Sequence, residues 1–250
     1  MGRFFINKRD IVDGEVVISG GEARHISEVM RLSVGDPIVV FDGEGGEYSG
    51  TIKELDHPNK NLTVTIDSEK SLSKEEGPRI TLVQAIPKKN KMDLVVEKTT
   101  ELGVYKIIPM LTERTVVRPD SRSSRKVTER WRRIAIETSK QCARAFVPEI
   151  SDIKIFKEIV ALAKDHDFAF LACLEGETVS IKEAISKNIA GSVLVMVGPE
   201  GDFSPRELEY AESRGFSLIS LGKRVLKSET AGLFVVSVIG YEGGGFEGTK

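Results

Sequence analysis

The chain has little cysteine: Cys142 and Cys173 are the only two in 250 residues. Two thiols build no disulfide scaffold, and their spacing fits no metal-ligand motif, so no metal is expected. Their number suits a reducing compartment. Long apolar runs are also lacking. None approaches the ~20 residues of a membrane helix, and Met1-Gly-Arg-Phe-Phe-Ile6 carries no secretory pattern. A cytoplasmic protein without membrane attachment is expected. There is no Walker-A loop, His-x-Glu zinc pair or Gly-x-Ser-x-Gly elbow. Gly243-Gly-Gly245-Phe-Glu-Gly248 spells a dinucleotide fingerprint, but no helix follows it, so it is read as chance.

Charge of one sign is absent from the sum and present in the distribution. The formal net charge is −2. Yet Arg114, Arg118, Arg122, Arg125, Lys126, Arg130, Arg132, Arg133, Lys140 and Arg144 are opposed only by Asp120, Glu129 and Glu137. A solvated helix face accounts for such a strip. The preference for Arg over Lys also suits phosphate, whose oxygens match the guanidinium fork.

What is present divides the chain. Residues 1–70 read as a small β-rich domain: Ile38-Val-Val-Phe41, Glu47-Tyr-Ser-Gly-Thr-Ile52 and Leu62-Thr-Val-Thr-Ile66 are short β-branched runs parted by turn formers. A helix is expected over 22–32, with Ser19 and Glu22 as a capping box and Ile26, Val29 and Met30 on its apolar face. The polar stretch 68–78 ends in Gly and Pro, and a linker is set at 71–78. Over 79–241 strands alternate with helices, which predicts α/β architecture. Strands are expected at 79–86, 106–110, 167–174, 192–197 and 216–221. Helices are expected at 91–102, at 125–145, from Ser204 onward and at 230–241. The last is apolar nearly all round and needs a core or a second subunit to cover it. Residues 242–250 read as a flexible tail.

Three segments follow strands. Val197-Gly-Pro-Glu-Gly-Asp-Phe-Ser-Pro205 runs into a capped helix, with Gly198 and Gly201 allowing close backbone approach. Leu221-Gly-Lys-Arg-Val-Leu-Lys-Ser-Glu-Thr-Ala231 enters the last helix, where Ser228 is a candidate cap. Cys173-Leu-Glu-Gly176 completes the trio. Ligands of open α/β sheets bind beyond strand carboxyl ends, where such loops lie. Chain-turning loops would also explain them.

Gly198-Pro-Glu-Gly and Leu221-Gly-Lys-Arg-Val-Leu-Lys-Ser-Glu-Thr-Ala231 resemble the knotted SPOUT methyltransferases. The nearer resemblance is to the bacterial 16S rRNA uridine-N3 methyltransferase family (RsmE-like). It rests further on Arg3-Phe-Phe5, His25-Ile-Ser-Glu-Val-Met-Arg-Leu-Ser-Val-Gly-Asp36, Lys91-Met-Asp-Leu-Val-Val-Glu-Lys-Thr-Thr-Glu-Leu-Gly103, Thr112-Glu-Arg-Thr-Val-Val117 and Ser139-Lys-Gln-Cys-Ala-Arg144. The motifs run in the family's order over nearly the whole chain. The resemblance implies a PUA-like β-barrel for RNA at 1–70. It implies an α/β domain with a C-terminal deep trefoil knot at 79–241, an exception to unthreaded topology. It also implies a homodimer and S-adenosyl-L-methionine as cofactor. The motif match places cofactor binding at Leu174, Gly198, Glu200, Gly201, Leu221, Gly222, Val225, Leu226, Ser228 and Thr230. Two departures stand out: Asp202 and Ala143 occupy positions where the family has Gly.

The implied reaction methylates N3 of a uridine in 16S rRNA, with the 30S subunit as substrate. N3 lies on the pairing edge, so the base must be unpaired or flipped. Glu97, Glu200 and Glu229 are candidate bases; Arg144, Arg114 and Lys140 are candidate stabilisers of the uridine anion. Among these, Arg144, Glu229 and Glu97 are the catalytic candidates. An exposed helix position explains Glu97 equally, and first-turn placement explains Glu229. Arg3, His25, Arg31, Lys91, Arg114 and Lys140 are the RNA-binding candidates. A non-enzymatic RNA-binding assembly factor on the same fold and a small-molecule α/β enzyme are the competing readings.

Overall fold

Short β-branched strands build the first of two units, Met1–Glu75 with Ser139–Val147, in the computed structural model, which describes residues 2–56, 58–72, 74–185 and 189–246. Strands β1 (Arg3–Phe5), β2 (Ile11–Val12), β3 (Glu15–Ser19), β4 (Pro37–Phe41), β5 (Gly46–Asp56) and β6 (Asn61–Ser71) form one sheet in the order β1-β4-β5-β6-β3-β2. Alternate residues point inward and bury Phe4, Val16, Ile18, Ile38, Val40, Ile52, Leu62 and Val64. The polar run from Ser68 is not all linker. β6 carries it to Ser71, with the backbone paired to β5 and the side chains in solvent.

The expected helix over 22–32 is replaced by α1 (Gly20–Arg24) and a π-helical turn, His25–Val29. Ser19 stands at the N-cap but makes no side-chain cap bond. The chain enters through Gly20 at φ +67°, and that N–H is taken by the Lys60 carbonyl. Widening the turn to the Met30 N–H to His25 carbonyl bond shifts the helical register. Ile26 stays buried, while Val29 and Met30 turn outward, 66% and 39% exposed.

The segment Ser139–Val147 is anchored inside this unit. Arg3 donates to the Ser139 and Arg144 carbonyls at 3.4 and 3.2 Å, Lys140 pairs with Glu22 at 2.6 Å, and Arg144 pairs with Glu75 at 2.5 Å.

The second unit, Glu76–Thr138 with Pro148–Lys250, alternates strands and helices. In chain order these are β7 (Arg79–Ala85), α2 (Lys91–Glu101), β8 (Lys106–Leu111), α3 (Ser121–Gln141), β9 (Glu149–Ile150), β10 (Lys154–Ile155) and α4 (Phe156–Val160). There follow β11 (Phe168–Ala172), β12 (Val179–Ser180), α5 (Ile181–Ile185), β13 (Ser192–Val197), α6 (Pro205–Glu212), β14 (Ser217–Ser220) and α7 (Ser228–Glu242). The sheet order is β10-β8-β7-β13-β11-β14-β12, with β9 beside β8 and every pairing parallel. Apolar strands buried on both faces are what a central parallel sheet requires. One face packs Val83, Ile108, Leu171 and Met196 against Phe156, Ile159, Phe203 and Leu208. The other faces α7, which also packs on α2.

Two helices differ from expectation. α3 starts four residues earlier than expected, because the Asp120 carboxylate accepts the Ser123 N–H at 2.7 Å and caps it. It ends at Gln141 because Ala143 turns the chain at φ +60°. α7 is not uniformly covered: Val235, Val236 and Ile239 are buried, whereas Leu233, Phe234 and Val238 are half-buried and Tyr241 is exposed. Residues 247–250 of the expected tail lie outside the described residues.

Candidate functional site: a cavity beyond three neighbouring strands

β11 lies between β13 and β14, so the loops that leave these three strands emerge side by side. Between them lies a cavity of about 430 Å³, lined by residues 172–174, 197–200, 202, 220–228 and 231. The loops are tied together by side chains spent on backbone. The Glu200 carboxylate accepts the Lys88 N–H at 3.0 Å, and Asp202 accepts the Leu174 N–H at 2.8 Å. Arg114 donates to the Gly201 carbonyl at 2.8 Å. The following helix begins as the sequence predicts: Ser204 accepts from Glu207 N–H, the Glu207 carboxylate returns to Ser204 N–H, and Pro205 fills the first turn.

Ser228 is not the helix cap; Lys227 holds that position. The hydroxyl is used instead as a cross-link, donating to the Gly198 carbonyl at 2.6 Å and accepting from Gln84 at 2.9 Å. Gly198 has no left-handed backbone, so its need for hydrogen is steric. A Cβ there would meet Phe203 at 3.1 Å and Asp202 at 3.3 Å. Gly222, at φ +112°, is in a conformation that L side chains rarely adopt.

Two large apolar side chains stand open at this cavity, Leu174 at 62% and Val225 at 75% exposed. Cys173, also lining it, is a neutral thiol: burial, then the charges of Asp202 and Glu212, push it up to about 12.

Eight of the ten residues expected to hold a cofactor line this space: Leu174, Gly198, Glu200, Leu221, Gly222, Val225, Leu226 and Ser228. Gly201 is engaged through its carbonyl, and Thr230 is exposed on the first turn of α7. Glu229 is buried and pairs with Lys91 at 2.8 Å, while its Oε2 has no hydrogen-bond partner among the described residues. Glu97 is half-buried and pairs with Lys98 at 2.8 Å. Arg144 lies in the first unit, paired with Glu75. Among the RNA candidates His25 and Arg31 are exposed, whereas Arg3 and Lys140 are nearly buried and ion-paired.

Sequence reading missed Gln84. It is fully buried in β7, and a lone amide among Ile80, Leu82, Val83 and Ile86 is the signal that could have found it. It also passed over Lys223, Arg224 and Lys227 at the cavity.

A cavity over the carboxyl ends of adjacent parallel strands defines the second unit as a ligand-binding α/β domain. Residues 73–240 match the RNA methyltransferase domain family, and residues 18–66 match the RNA methyltransferase PUA domain. The chain belongs to this family of RNA methyltransferases, an α/β methyltransferase fold behind a PUA-like domain. The resemblance read from the motifs is therefore borne out. Ribosomal RNA small subunit methyltransferase E of Bacillus subtilis is 32% identical over 251 residues, 97% of each chain. The protein of that name from Neisseria gonorrhoeae, solved bound to S-adenosyl methionine, matches with TM-score 0.83 and 28% identity over 96% of this chain and 97% of that one. A Legionella pneumophila protein solved with the cofactor SAM matches with TM-score 0.86 and 28% identity over 96% of each. Among the described residues no helix is long and apolar enough to cross a membrane, and no cluster of metal-ligating side chains occurs.

Proposed function

We propose that this chain is a cytoplasmic S-adenosyl-L-methionine-dependent methyltransferase acting on N3 of a uridine in 16S rRNA within the 30S subunit. The observation that carries the reading is the cavity beyond β11, β13 and β14 in a chain of the RNA methyltransferase family. Its walls suit the cofactor. Leu174 and Val225 offer apolar surface for an adenine ring, and Glu200 and Asp202 bring negative charge toward a cationic sulfonium. When bound, S-adenosylmethionine supplies an electrophilic methyl group. Leu174, Gly198, Glu200, Gly201, Leu221, Gly222, Val225, Leu226, Ser228 and Thr230 hold it in this proposal. We read the segment from β13 to α7 as a deep trefoil knot, in keeping with β14 lying across β11 from β13.

The chain's own groups orient the base and take up its proton. Positioning supplies much of the acceleration. Glu229 is the candidate base with the best support, since its Oε2 is buried and has no hydrogen-bond partner among the described residues. Glu97 and Arg144 remain candidates. In this proposal His25 and Arg31 of the PUA-like domain at 1–70 and Lys91 and Arg114 of the domain at 79–241 meet the RNA, and Arg3 and Lys140, both ion-paired inside the first unit, complete the set of RNA candidates. The half-buried Leu233, Phe234 and Val238 of α7 support a homodimer formed on that helix.

The test incubates the protein and radiolabelled S-adenosylmethionine with 30S subunits from a strain lacking the gene. Label recovered as 3-methyluridine is the expected result. No label from a folded protein that binds the subunit overturns the reading in favour of an assembly factor. Gly198→Val should abolish cofactor binding through its contacts with Phe203 and Asp202.

A further inference from the structure

Three cations, Lys223, Arg224 and Lys227, lie within five residues of one another on the loop from β14 to α7, and all three line the cavity. All are exposed, and none of the three side chains makes an ion pair or hydrogen bond among the described residues, although the charge of Lys227 is felt by Glu229 and helps to lower its pKa. Elsewhere in this unit cations do find carboxylates: Lys91 with Glu229, Lys106 with Glu149, Arg130 with Asp93 and Arg132 with Asp152. The two carboxylates on the loop after β13, Glu200 and Asp202, hold the Lys88 and Leu174 backbone N–H groups instead. The loop therefore leaves its positive charge open at the mouth.

We infer that Lys223, Arg224 and Lys227 form the phosphate-binding rim of this site, gripping the RNA backbone beside the nucleotide that enters the cavity. The inference rests on the methyltransferase reading, because the charge of the cofactor decides against the other anion available. S-adenosylmethionine carries a sulfonium and an ammonium against one carboxylate, so a ring of three cations repels it as a whole. A polyanion is drawn by the same charges and releases counterions on binding. The cavity is thus divided. Its acidic wall, Glu200 and Asp202, suits a cationic cofactor, and its basic rim suits phosphate.

The test uses the full chain with radiolabelled 16S rRNA and S-adenosylmethionine as separate probes. Lys223→Gln with Arg224→Gln should weaken RNA binding about tenfold. It should also flatten the slope of log affinity against log salt by about 1.4–1.8, since each phosphate contact contributes roughly 0.7–0.9. Affinity for S-adenosylmethionine by calorimetry should stay within about twofold. The charge-conserving pair Lys223→Arg with Arg224→Lys should restore RNA affinity and slope. An unchanged slope overturns the proposal. So does lost cofactor affinity with RNA binding intact, which would hand the rim to the cofactor carboxylate. A wild-type chain that binds neither probe overturns this proposal and the methyltransferase reading together. One that binds RNA alone overturns only that reading, and the slope still decides the rim.

Discussion

The side-chain amide of Gln84 donates to the hydroxyl of Ser228 across 2.9 Å, joining the core of β7 to the first residue of α7. The same hydroxyl fixes the Gly198 carbonyl at 2.6 Å, so one buried strap aligns two of the cavity loops. Buried amides are costly when their partners are removed. Ser228→Ala should lower stability by about 1–2 kcal/mol and weaken cofactor binding, measured by denaturant unfolding and calorimetry.

The Oε1 of Gln84 lies where a side chain on Gly232 would stand. Gly232→Ala should therefore destabilise by about 1–3 kcal/mol through overpacking. Adding Gln84→Ala should relieve part of that loss, a coupling that a double-mutant cycle reads directly. Strictly additive losses would show that the two positions do not meet.

Asp202 sits at φ +57° while its carboxylate holds the Leu174 N–H at 2.8 Å. Asp is one of the few side chains that visit this region, and its hydrogen bond to the distant Leu174 N–H offsets the strain. Asp202→Ala retains the strain and loses the bond; Asp202→Gly loses both. The Ala variant should melt lower, by about 1–2 kcal/mol of stability, and both should bind cofactor more weakly. Equal melting temperatures would remove backbone strain from this account.

Ala143, at φ +60° just beyond α3, is strained without such compensation. Ala143→Gly should raise stability by about 0.5–1 kcal/mol, the left-handed strain outweighing the greater unfolded-state entropy of Gly. Thermal unfolding checks it, and a fall in stability would refute it.

Glu229 gives a pH signature. Burial works to raise its pKa, but the hydrogen bond and charge of Lys91, with help from the backbone and Lys227, hold it below the ordinary glutamate value. A depressed carboxyl contributes stability that is complete above the unfolded-state value near 4.3 and is lost as pH falls through the lower folded value. Glu229→Gln should cost roughly 1–3 kcal/mol at neutral pH by leaving Lys91 unpaired. The gap to wild type should close below about pH 4. A gap that persists in acid would mean that the Lys91 pair is not its cause.

The local elements were legible because their causes are local. The limits of β13, the Ser204 cap with Pro205 and Glu207, and the stop at Gly103 follow from side-chain pattern and backbone preference within one turn. Asp120 was equally legible as the cap of α3 and was overlooked. The loop motifs after β11, β13 and β14 named most of the cavity, since residues contiguous in sequence line it. Only the tertiary structure decided what these residues touch. That Ser228 is a cross-link and not a cap depends on Gln84, far away in the chain, lying beneath it. That glycine is what the resemblance leads one to expect at Asp202 and Ala143 acquires its physical reason only from their positive φ. The basic strip, uniform in sequence, was divided by partners that folding brought near: Asp93, Asp152, Glu22 and Glu75 took Arg130, Arg132, Lys140 and Arg144. Side-chain spacing within a segment sets its local conformation, whereas the pairing of a charge or an amide depends on which distant segment the packed sheet brings within about 3 Å.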